Sequence, residues 1–347
     1  MQRTFRTGAL AAVSLVFAAG WLGDAMARSS LRSEDKECAD TANAEAAIAA
    51  CTRLYDNRGL GRRNRAIALG NRGAALKMLG RYDEAIADFG RAVELDEGNP
   101  QYYCQRGDVR MRKGAVDDAI ADYSAAIAKD PRFYWAYHSR GQAYLAQGNG
   151  QLALADFNAA LRLKPGNFGL LVLRGRANNL AKSYDAAVAD LTKALADPAV
   201  GNLLPKERAS ILTQRAFALA KVDRVGEART DIDEALQLAP KTAFAIAVGG
   251  LVDEKQGKTA EARNAYTRAL AMEPNLALAK AGLDRLAEAG GAPNQRSEPV
   301  AQSDHVDVPA SEPATEPAHE PQPSADADLC VKYIPEIGRT VKVECGR

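Results

Sequence analysis

His138 and Ser139 are neighbours in the chain and belong to the residue types that form a general base and its nucleophile. Adjacent side chains on a helix do not face each other, so this pair is poorly placed for nucleophilic catalysis. The sequence also lacks a G-x-x-x-x-G-K-S/T phosphate loop, an H-E-x-x-H helix, a G-x-S-x-G elbow and a C-x-x-C pair. We therefore predict that the protein is not an enzyme.

Metal and cofactor sites are not expected either. The chain has 3 histidines, and His305 and His319 lie in a proline-rich stretch, which argues against a histidine-based zinc or di-iron site. Acidic pairs such as Asp83-Glu84 fall at predicted helix starts, where the helix dipole favours carboxylates. The net charge of +1 argues against a protein that coats nucleic acid, because such a protein needs a strongly basic body.

The elements that carry these residues follow a period of 34 residues. A glycine recurs with this spacing at Gly73, Gly107, Gly141 and Gly175. Two alanines and a bulky apolar residue keep the same spacing, beginning with Ala85, Phe89 and Ala92. After a slip of seven residues the pattern resumes for two further units. A fixed period in this range predicts stacked units that bury their apolar faces against one another.

Each unit is predicted to be a pair of helices, with a glycine such as Gly80 at the turn and a proline such as Pro131 after the second helix. The full repeats are predicted at residues 66–99, 100–133, 134–167, 168–198, 209–242 and 243–276. We expect a partial repeat in residues 28–65 with a helix from Ala44 to Asp56, an insertion at 199–208 and a capping helix at 277–290. The predicted fold class is all-α, an α-solenoid.

The repeat resembles the tetratricopeptide repeat family. Its residue pattern is similar to that of exported alphaproteobacterial members. The matching residues of the first unit are Leu69, Gly73, Leu76, Gly80, Tyr82, Ala85, Phe89 and Ala92. The resemblance implies a right-handed superhelix of antiparallel helix pairs, whose first helices line a concave groove that binds peptides or proteins. Arg110, Asn178 and Asp253 stand where the family has large apolar residues, which leaves the packing of those three units open.

The resemblance also implies which residues face the groove. They are Gln101, Asp108, Arg112, Trp135, His138, Gln142, Arg176, Asn179, Phe217 and Lys221. Trp135 and His138 lie three apart on one side of a helix and would anchor a partner side chain; the alternative is that Trp135 packs at a seam between repeats. The carboxylate clamp of chaperone-type members is not transferred, because the matching positions include Gly70, Ala74, Cys104 and Asp108.

A second pattern pairs an arginine with an aspartate in each of the first five repeats. The arginines are Arg72, Arg106, Arg140, Arg174 and Arg215, and the aspartates are Asp88, Asp122, Asp156, Asp190 and Asp231. In the sixth repeat both are lost together, since Gly249 and Ala265 replace them. We predict a ladder of Arg–Asp pairs; the alternative is an anion-binding stripe of arginines.

The first residues are predicted to be a signal peptide, residues 1–27. Arg3 and Arg6 precede a short apolar run, and Ala25-Met26-Ala27 is an A-x-A cleavage signature. The run is short for a membrane span, so an uncleaved anchor is the less favoured alternative. We expect an exported protein, periplasmic or secreted, whose mature chain has no indicated membrane contact.

The cysteines fit an oxidising compartment. Cys38 with Cys51, and Cys330 with Cys345, are two locally spaced pairs that we predict as disulfides. Cys104 lies within a repeat and is predicted to be a small buried residue.

The chain beyond the repeats changes composition. Residues 291–329 are rich in proline and hold eight acidic residues against Arg296, which predicts a disordered linker. The linker acts as a spacer or, alternatively, screens the groove. Val331, Tyr333, Val341 and Val343 predict two short strands in a tip at 330–347.

These features predict a non-catalytic scaffold or adaptor that binds a protein or peptide partner in its groove. One alternative is a cell-envelope assembly or anchoring factor that acts through the C-terminal tip. The other is a regulatory subunit of a separately encoded enzyme.

Overall fold

The computed structural model describes residues 33–40, 42–290, 329–334 and 339–344. The predicted signal peptide and all of the predicted linker except Leu329 lie outside the described residues. The chain divides into two compact units, with the boundary between Asp197 and Pro198.

The first unit is built from ten helices among its described residues. Helix α1 covers residues 33–39. The remaining nine are α2 (Ala44–Asp56), α3 (Arg62–Met78), α4 (Tyr82–Leu95), α5 (Pro100–Arg112), α6 (Val116–Lys129), α7 (Tyr134–Ala146), α8 (Gly150–Leu163), α9 (Phe168–Leu180) and α10 (Tyr184–Leu195). The helix predicted from Ala44 to Asp56 is confirmed.

The second unit begins with a 3-10 turn at Pro198–Asn202. Its helices are α11 (Pro205–Lys221), α12 (Val225–Leu238), α13 (Ala243–Lys255), α14 (Thr259–Met272) and α15 (Ala277–Gly290). Proline suits the first turn of a helix, because the N–H that it lacks would have no partner there; Pro205 begins α11 in this way.

The helices of each unit pack on one plan. Every helix contacts the next one, and the first helices of successive repeats also contact each other: α3 with α5, α5 with α7 and α7 with α9. In the second unit α11 contacts α13, and α13 contacts α15. The first helices therefore form one layer and the second helices another, which is the α-solenoid that the period predicts.

The turn within each repeat needs a left-handed residue. Gly80, Gly114 and Gly148 have φ angles of +74°, +80° and +78°, which glycine adopts without steric cost. The prediction that these glycines mark the turns is confirmed. In the next two repeats Lys182 and Asp223 occupy the same turn with φ of +61° and +60°, so the backbone shape is kept without glycine.

The repeated glycine gives space to the bulky residue 16 positions later. A Cβ added at Gly107 would lie 2.7 Å from Tyr123 Cε1, and one added at Gly141 would lie 2.7 Å from Phe157 Cε1. Both aromatic rings are buried. The two helices of a repeat therefore approach at the glycine, and the aromatic ring fills the space between them.

The predicted Arg–Asp ladder is present. Arg72 donates from Nε and Nη2 to Asp88 at 2.6 and 2.8 Å, and Arg174 donates in the same way to Asp190 at 2.8 and 2.6 Å. The other three pairs are Arg106–Asp122, Arg140–Asp156 and Arg215–Asp231. Each pair joins the two helices of one repeat, with the aspartate buried and the arginine half-buried.

The three polar residues at apolar positions of the family join the ion-pair networks. Arg110 lies 2.8 Å from Asp122 Oδ2, and buried Asn178 donates to Asp190 Oδ2 at 3.0 Å. Asp253 forms an ion pair with Arg229. At these three positions, polar contacts replace the apolar packing that is usual in the family. Each of the three side chains therefore has a defined partner in the structure.

A disulfide holds the N-terminal helix. Cys38 of α1 is bonded to Cys51 of α2, as predicted, with both sulfurs in a buried cluster that includes Leu54. Cys104 is free and buried, also as predicted. Cys345, the proposed partner of Cys330, lies outside the described residues.

The C-terminal tip contains the two predicted strands. Strand β1 (Leu329–Ile334) pairs with β2 (Arg339–Glu344) in a two-stranded sheet. Elsewhere along the described chain, every helix is too short or too polar to cross a membrane.

Candidate functional site

The candidate site is the outward side of the first-helix layer in the first unit, which we call the first-helix face. Helix α5 contributes Gln101, Asp108 and Arg112, and α7 contributes Trp135, His138 and Gln142. Residues spaced by three, four, seven or eleven along a helix share one side, so each set lies on one stripe. Because α3, α5, α7 and α9 pack side by side, these stripes are neighbours.

Trp135 is the most exposed aromatic residue of the face. Its side chain is 50% exposed, and its ring stands edge-on to that of His138, with 5.4 Å between centroids and an 88° interplanar angle. Tyr134 supports it from the other side, with 4.6 Å between centroids. Trp135 is therefore open to a partner and is not sealed in a seam between repeats.

His138 is less accessible than the tryptophan beside it. Its Nδ1 atom is buried and has no hydrogen-bond partner. Desolvation lowers the pKa of the imidazole, so the ring is neutral near pH 7. A neutral ring suits the aromatic contact with Trp135.

Asp108 on α5 is hydrogen-bonded to the second helix of its own repeat. The hydroxyl of Tyr123 on α6 donates to Asp108 Oδ1 at 2.9 Å. Desolvation raises the pKa of this carboxyl, although Tyr123, Lys77 and Arg112 act in the opposite direction. The carboxylate is thus turned towards α6.

Lys77 lies at the end of α3. Its Nζ donates to Gln105 Oε1 at 2.7 Å. Desolvation lowers the pKa of its ammonium, and the positive charge of Arg112 lowers it further, against the opposing effect of Asp108. The charges of Asp108 and Arg112 therefore act on Lys77 in opposite directions.

Lys77 is not among the residues that the resemblance implies for the site, and it occupies the repeat position of Met111, Leu145 and Asn179. The repeat register contains a signal for α3, because Met78 precedes Arg112 by 34 residues and so shares its face. Applying the register to α3 as well as α5 would have identified that helix end.

The remaining candidates differ in accessibility. Gln101, Gln142 and Arg176 are exposed. Asn179 is 7% exposed, so the prediction that it faces a partner is wrong. Met111 and Leu145 take its position in the two preceding repeats and pack against the core clusters, which explains its burial.

Phe217 and Lys221 lie on α11 in the second unit. The Lys221 ammonium lies 5.5 Å from the centroid of the Phe217 ring, and Phe217 also contacts Phe244 at 6.0 Å between centroids. Both residues are half-buried. They form a small cationic and aromatic site of that unit.

The first-helix face presents aromatic, amide and charged side chains. The His138 ring contacts Trp135, and its buried Nδ1 has no hydrogen-bond partner, so this nitrogen does not act as a base on Ser139. Nowhere in the described chain do three or more His, Cys, Asp or Glu side chains converge as metal ligands would. The ladder arginines are bound to aspartates, which argues against the anion-binding stripe.

Comparison with known sequences identifies the repeat. Models of the tetratricopeptide repeat match residues 66–99 and 138–201, and a TPR repeat model matches residues 107–148. No curated protein matches the chain in sequence.

Solved structures share the fold at low sequence identity. A tetratricopeptide repeat protein from Parabacteroides merdae is 17% identical, with a TM-score of 0.51 over 74% of this chain and 98% of that one. The C-terminal part of a TPR protein from Cytophaga hutchinsonii is 21% identical, with a TM-score of 0.51 over 73% and 99%. A chain of the APC/C hetero-tetramer Cut9-Hcn1 is 20% identical, with a TM-score of 0.53 over 68% and 44%.

Proposed function

We propose, since this chain is a tetratricopeptide repeat protein, that its first-helix face is a concave surface that binds an extended segment of a partner protein. Proteins of this repeat are interaction scaffolds, and the proposal assigns the contact to α3, α5 and α7. The observation that supports it most is the half-exposed Trp135 on this face, because exposed tryptophans are frequent anchors of protein interfaces.

The mechanism is display of a preformed surface. The helices are held by the Arg–Asp ladder and by aromatic residues packed on glycines, so little order is gained by the scaffold on binding. The conformational entropy cost of association then falls mainly on the partner segment. Such a surface selects partners by side-chain chemistry and needs no catalytic group.

A site-specific crosslink tests this function. We would place p-benzoylphenylalanine at Gln142, which is exposed on α7, and at Ala155, which is exposed on α8 in the second-helix layer. Irradiation of living cells is expected to give a defined crosslinked protein from position 142 and none from 155. The same products from both positions, or products from position 155 alone, would refute binding at the first-helix face.

We also propose that the protein acts outside the cytoplasm. The support is the A-x-A signature after Arg3 and Arg6, together with the Cys38–Cys51 disulfide, a bond type that persists in oxidising compartments. Mass spectrometry of the protein from a periplasmic fraction is expected to give an N-terminus at Arg28. An intact Met1 in the cytosolic fraction would contradict the proposal.

A further inference from the structure

The C-terminal tip is a two-stranded sheet, and neither outer edge has a further strand in the part of the chain that the structure describes. An isolated two-stranded sheet is marginally stable in water, and three or more strands are usually needed for independent stability. The N–H and C=O groups along an edge strand are a template for pairing with another chain. The tip therefore presents two strand edges that can accept a neighbouring strand.

The sequence of β2 is complementary to itself in charge. It reads Arg-Thr-Val-Lys-Val-Glu, with Arg339 as the first residue and Glu344 as the last. When two copies of β2 pair antiparallel in full register, Arg339 of each copy stands opposite Glu344 of the other. The copies are related by a two-fold axis, so the pairing contains two cross-strand pairs of opposite charge. At the centre of this alignment Val341 stands opposite Lys342, so no like charges meet.

Other alignments of the same two strands are less favourable. A parallel pair in register sets each charged residue beside its own copy, and like charges directly opposite are destabilising. An antiparallel pair shifted by one or two residues has no Arg339–Glu344 pair. Two of these shifts also bring like charges together, since Lys342 then stands opposite Arg339 or opposite its own copy. The charge pattern of β2 thus selects one register.

The edge formed by β1 lacks this selectivity. Its sequence, Leu-Cys-Val-Lys-Tyr-Ile, has one charged residue, Lys332. No alignment of two β1 strands therefore brings opposite charges together, and some alignments set Lys332 opposite its own copy. Of the two edges, β2 is the one whose charges specify a partner strand.

We infer that β2 of the tip pairs antiparallel with β2 of a second copy of this chain, which gives a four-stranded sheet across a two-fold axis. The backbone hydrogen bonds of the new ladder and the two Arg339–Glu344 pairs stabilise the dimer. This contact goes beyond the proposed function, because it uses a different part of the chain from the first-helix face. A dimer joined at its tips presents two first-helix faces, and linked sites raise the affinity for a partner that carries two binding segments.

Reversal of the charges tests the register. Sedimentation velocity of residues 28–347 over a concentration series is expected to show a reversible monomer–dimer equilibrium for the wild type. In Arg339→Glu and in Glu344→Arg, both cross-strand pairs consist of like charges. Each variant should therefore have a dimer Kd at least about tenfold higher at low salt. The double variant Arg339→Glu with Glu344→Arg exchanges the charges, so its Kd should return close to that of the wild type.

A mixture of the two single variants distinguishes pairing between copies from a local effect within one tip. A mixed dimer again has opposite charges at both cross-strand positions, so the mixture should dimerise at a concentration where neither variant does so alone. The two residues lie at opposite ends of one strand, so mixing would not rescue a defect confined to one tip. Lys332→Glu on β1 is the matched control and should leave the Kd unchanged.

Several results would overturn the inference. These are a wild type that is monomeric at every concentration, a single variant that dimerises as well as the wild type, and a loss that mixing does not rescue. A dimer that persists in a chain ending at residue 290 would place the contact on the helices instead. A dimer that survives denaturation until reductant is added would identify a disulfide between copies as the link. In each case the Gln142 crosslink still decides the proposed function separately.

Discussion

Arg140 on α7 donates from Nε and Nη2 to the two carboxylate oxygens of Asp156 on α8, at 2.9 and 2.8 Å. Its third nitrogen, Nη1, donates to Ser124 Oγ on α6 at 2.9 Å. One guanidinium therefore joins both helices of its own repeat and the second helix of the repeat before it. Arg174 repeats this arrangement with Asp190 and Asn158, so the ladder fixes helix register within and between repeats.

The Arg140–Asp156 pair predicts strong non-additivity. Asp156 is buried and the side chain of Arg140 is 21% exposed, so removing either partner leaves a largely desolvated charge. We expect Arg140→Ala and Asp156→Ala each to cost roughly 3 kcal/mol in the free energy of unfolding. The double variant should lose clearly less than the sum, by about 1–3 kcal/mol in urea unfolding.

The control for this cycle is the pair Arg224→Ala and Glu227→Ala. These residues form an ion pair whose side chains are 48% and 60% exposed. Their coupling should stay below about 1 kcal/mol, as for exposed ion pairs. Additive losses for Arg140 and Asp156 would show that the ladder has no energetic role.

Gly141 predicts a steric effect on the core. A Cβ at this position would lie 2.7 Å from Phe157 Cε1 and 2.9 Å from its Cζ. Gly141→Ala is expected to lower the free energy of unfolding by about 1–3 kcal/mol in spite of the better helix propensity of alanine. Gly226→Ala on α12, where no atom lies within 4 Å of the added Cβ, should not destabilise.

Repeat five shows which residue can accommodate an alanine at the glycine position. There Ala216 takes the glycine position and Ile232 the bulky position, and both are fully buried. The double variant Gly141→Ala with Phe157→Ile should therefore lose less stability in urea unfolding than the two single losses summed. A stability loss in the double variant that equals or exceeds this sum would mean that the contact between residue 141 and the ring of residue 157 does not determine the packing.

The period predicted the helix pairs, the glycine turns and the Arg–Asp partners because each depends on a position within one repeat. Exposure depends also on the neighbouring repeats. Asn179 is polar and was assigned to the face, yet it occupies the packed position of Met111 and Leu145. The surroundings of Asp108 combine Tyr123 of its own repeat with the charge of Lys77 from the preceding one, and a pattern within one repeat does not encode that combination.

His138 predicts a pH dependence of stability. Burial lowers the pKa of its imidazole in the folded state below the ordinary value of 6.5. The unfolded chain therefore binds the proton first as the pH falls, so the stability contribution of neutral His138 is present above pH 6.5 and is lost below it. Urea midpoints measured at about pH 7.5, 6.5 and 5.5 should fall more steeply for the wild type than for His138→Gln.

This pH dependence has a simple internal check. The other two histidines of the chain, His305 and His319, belong to the proline-rich stretch. A protein ending at residue 290 lacks them and should keep the same difference between wild type and His138→Gln. Parallel pH profiles for wild type and variant would show that the imidazole gains its proton freely in the folded state.

The Cys38–Cys51 bond predicts a local loss on reduction. It spans 13 residues and attaches α1 to α2 in a buried cluster. A disulfide that closes a loop of this size stabilises the folded state by up to about 3 kcal/mol. In the double variant Cys38→Ala and Cys51→Ala, amide hydrogen exchange should accelerate in α1 and α2 and remain unchanged in α7. Reduction of the wild type should give the same pattern; acceleration throughout the first unit would contradict a local role.

Lys182 predicts a stabilising substitution. It holds φ at +61° in the turn where four other repeats have glycine at φ of +74° to +80°. A Cβ in this conformation costs roughly 1–2 kcal/mol, and the Lys182 side chain is exposed, so Lys182→Gly should raise the free energy of unfolding by about 1 kcal/mol.

Ser183→Gly is the neighbouring control, since φ there is −88° and glycine only adds chain entropy to the unfolded state. The urea midpoint should therefore rise for the first variant and stay level or fall for the second. A lower midpoint for Lys182→Gly would mean that the lysine side chain contributes more to the turn than its backbone strain costs.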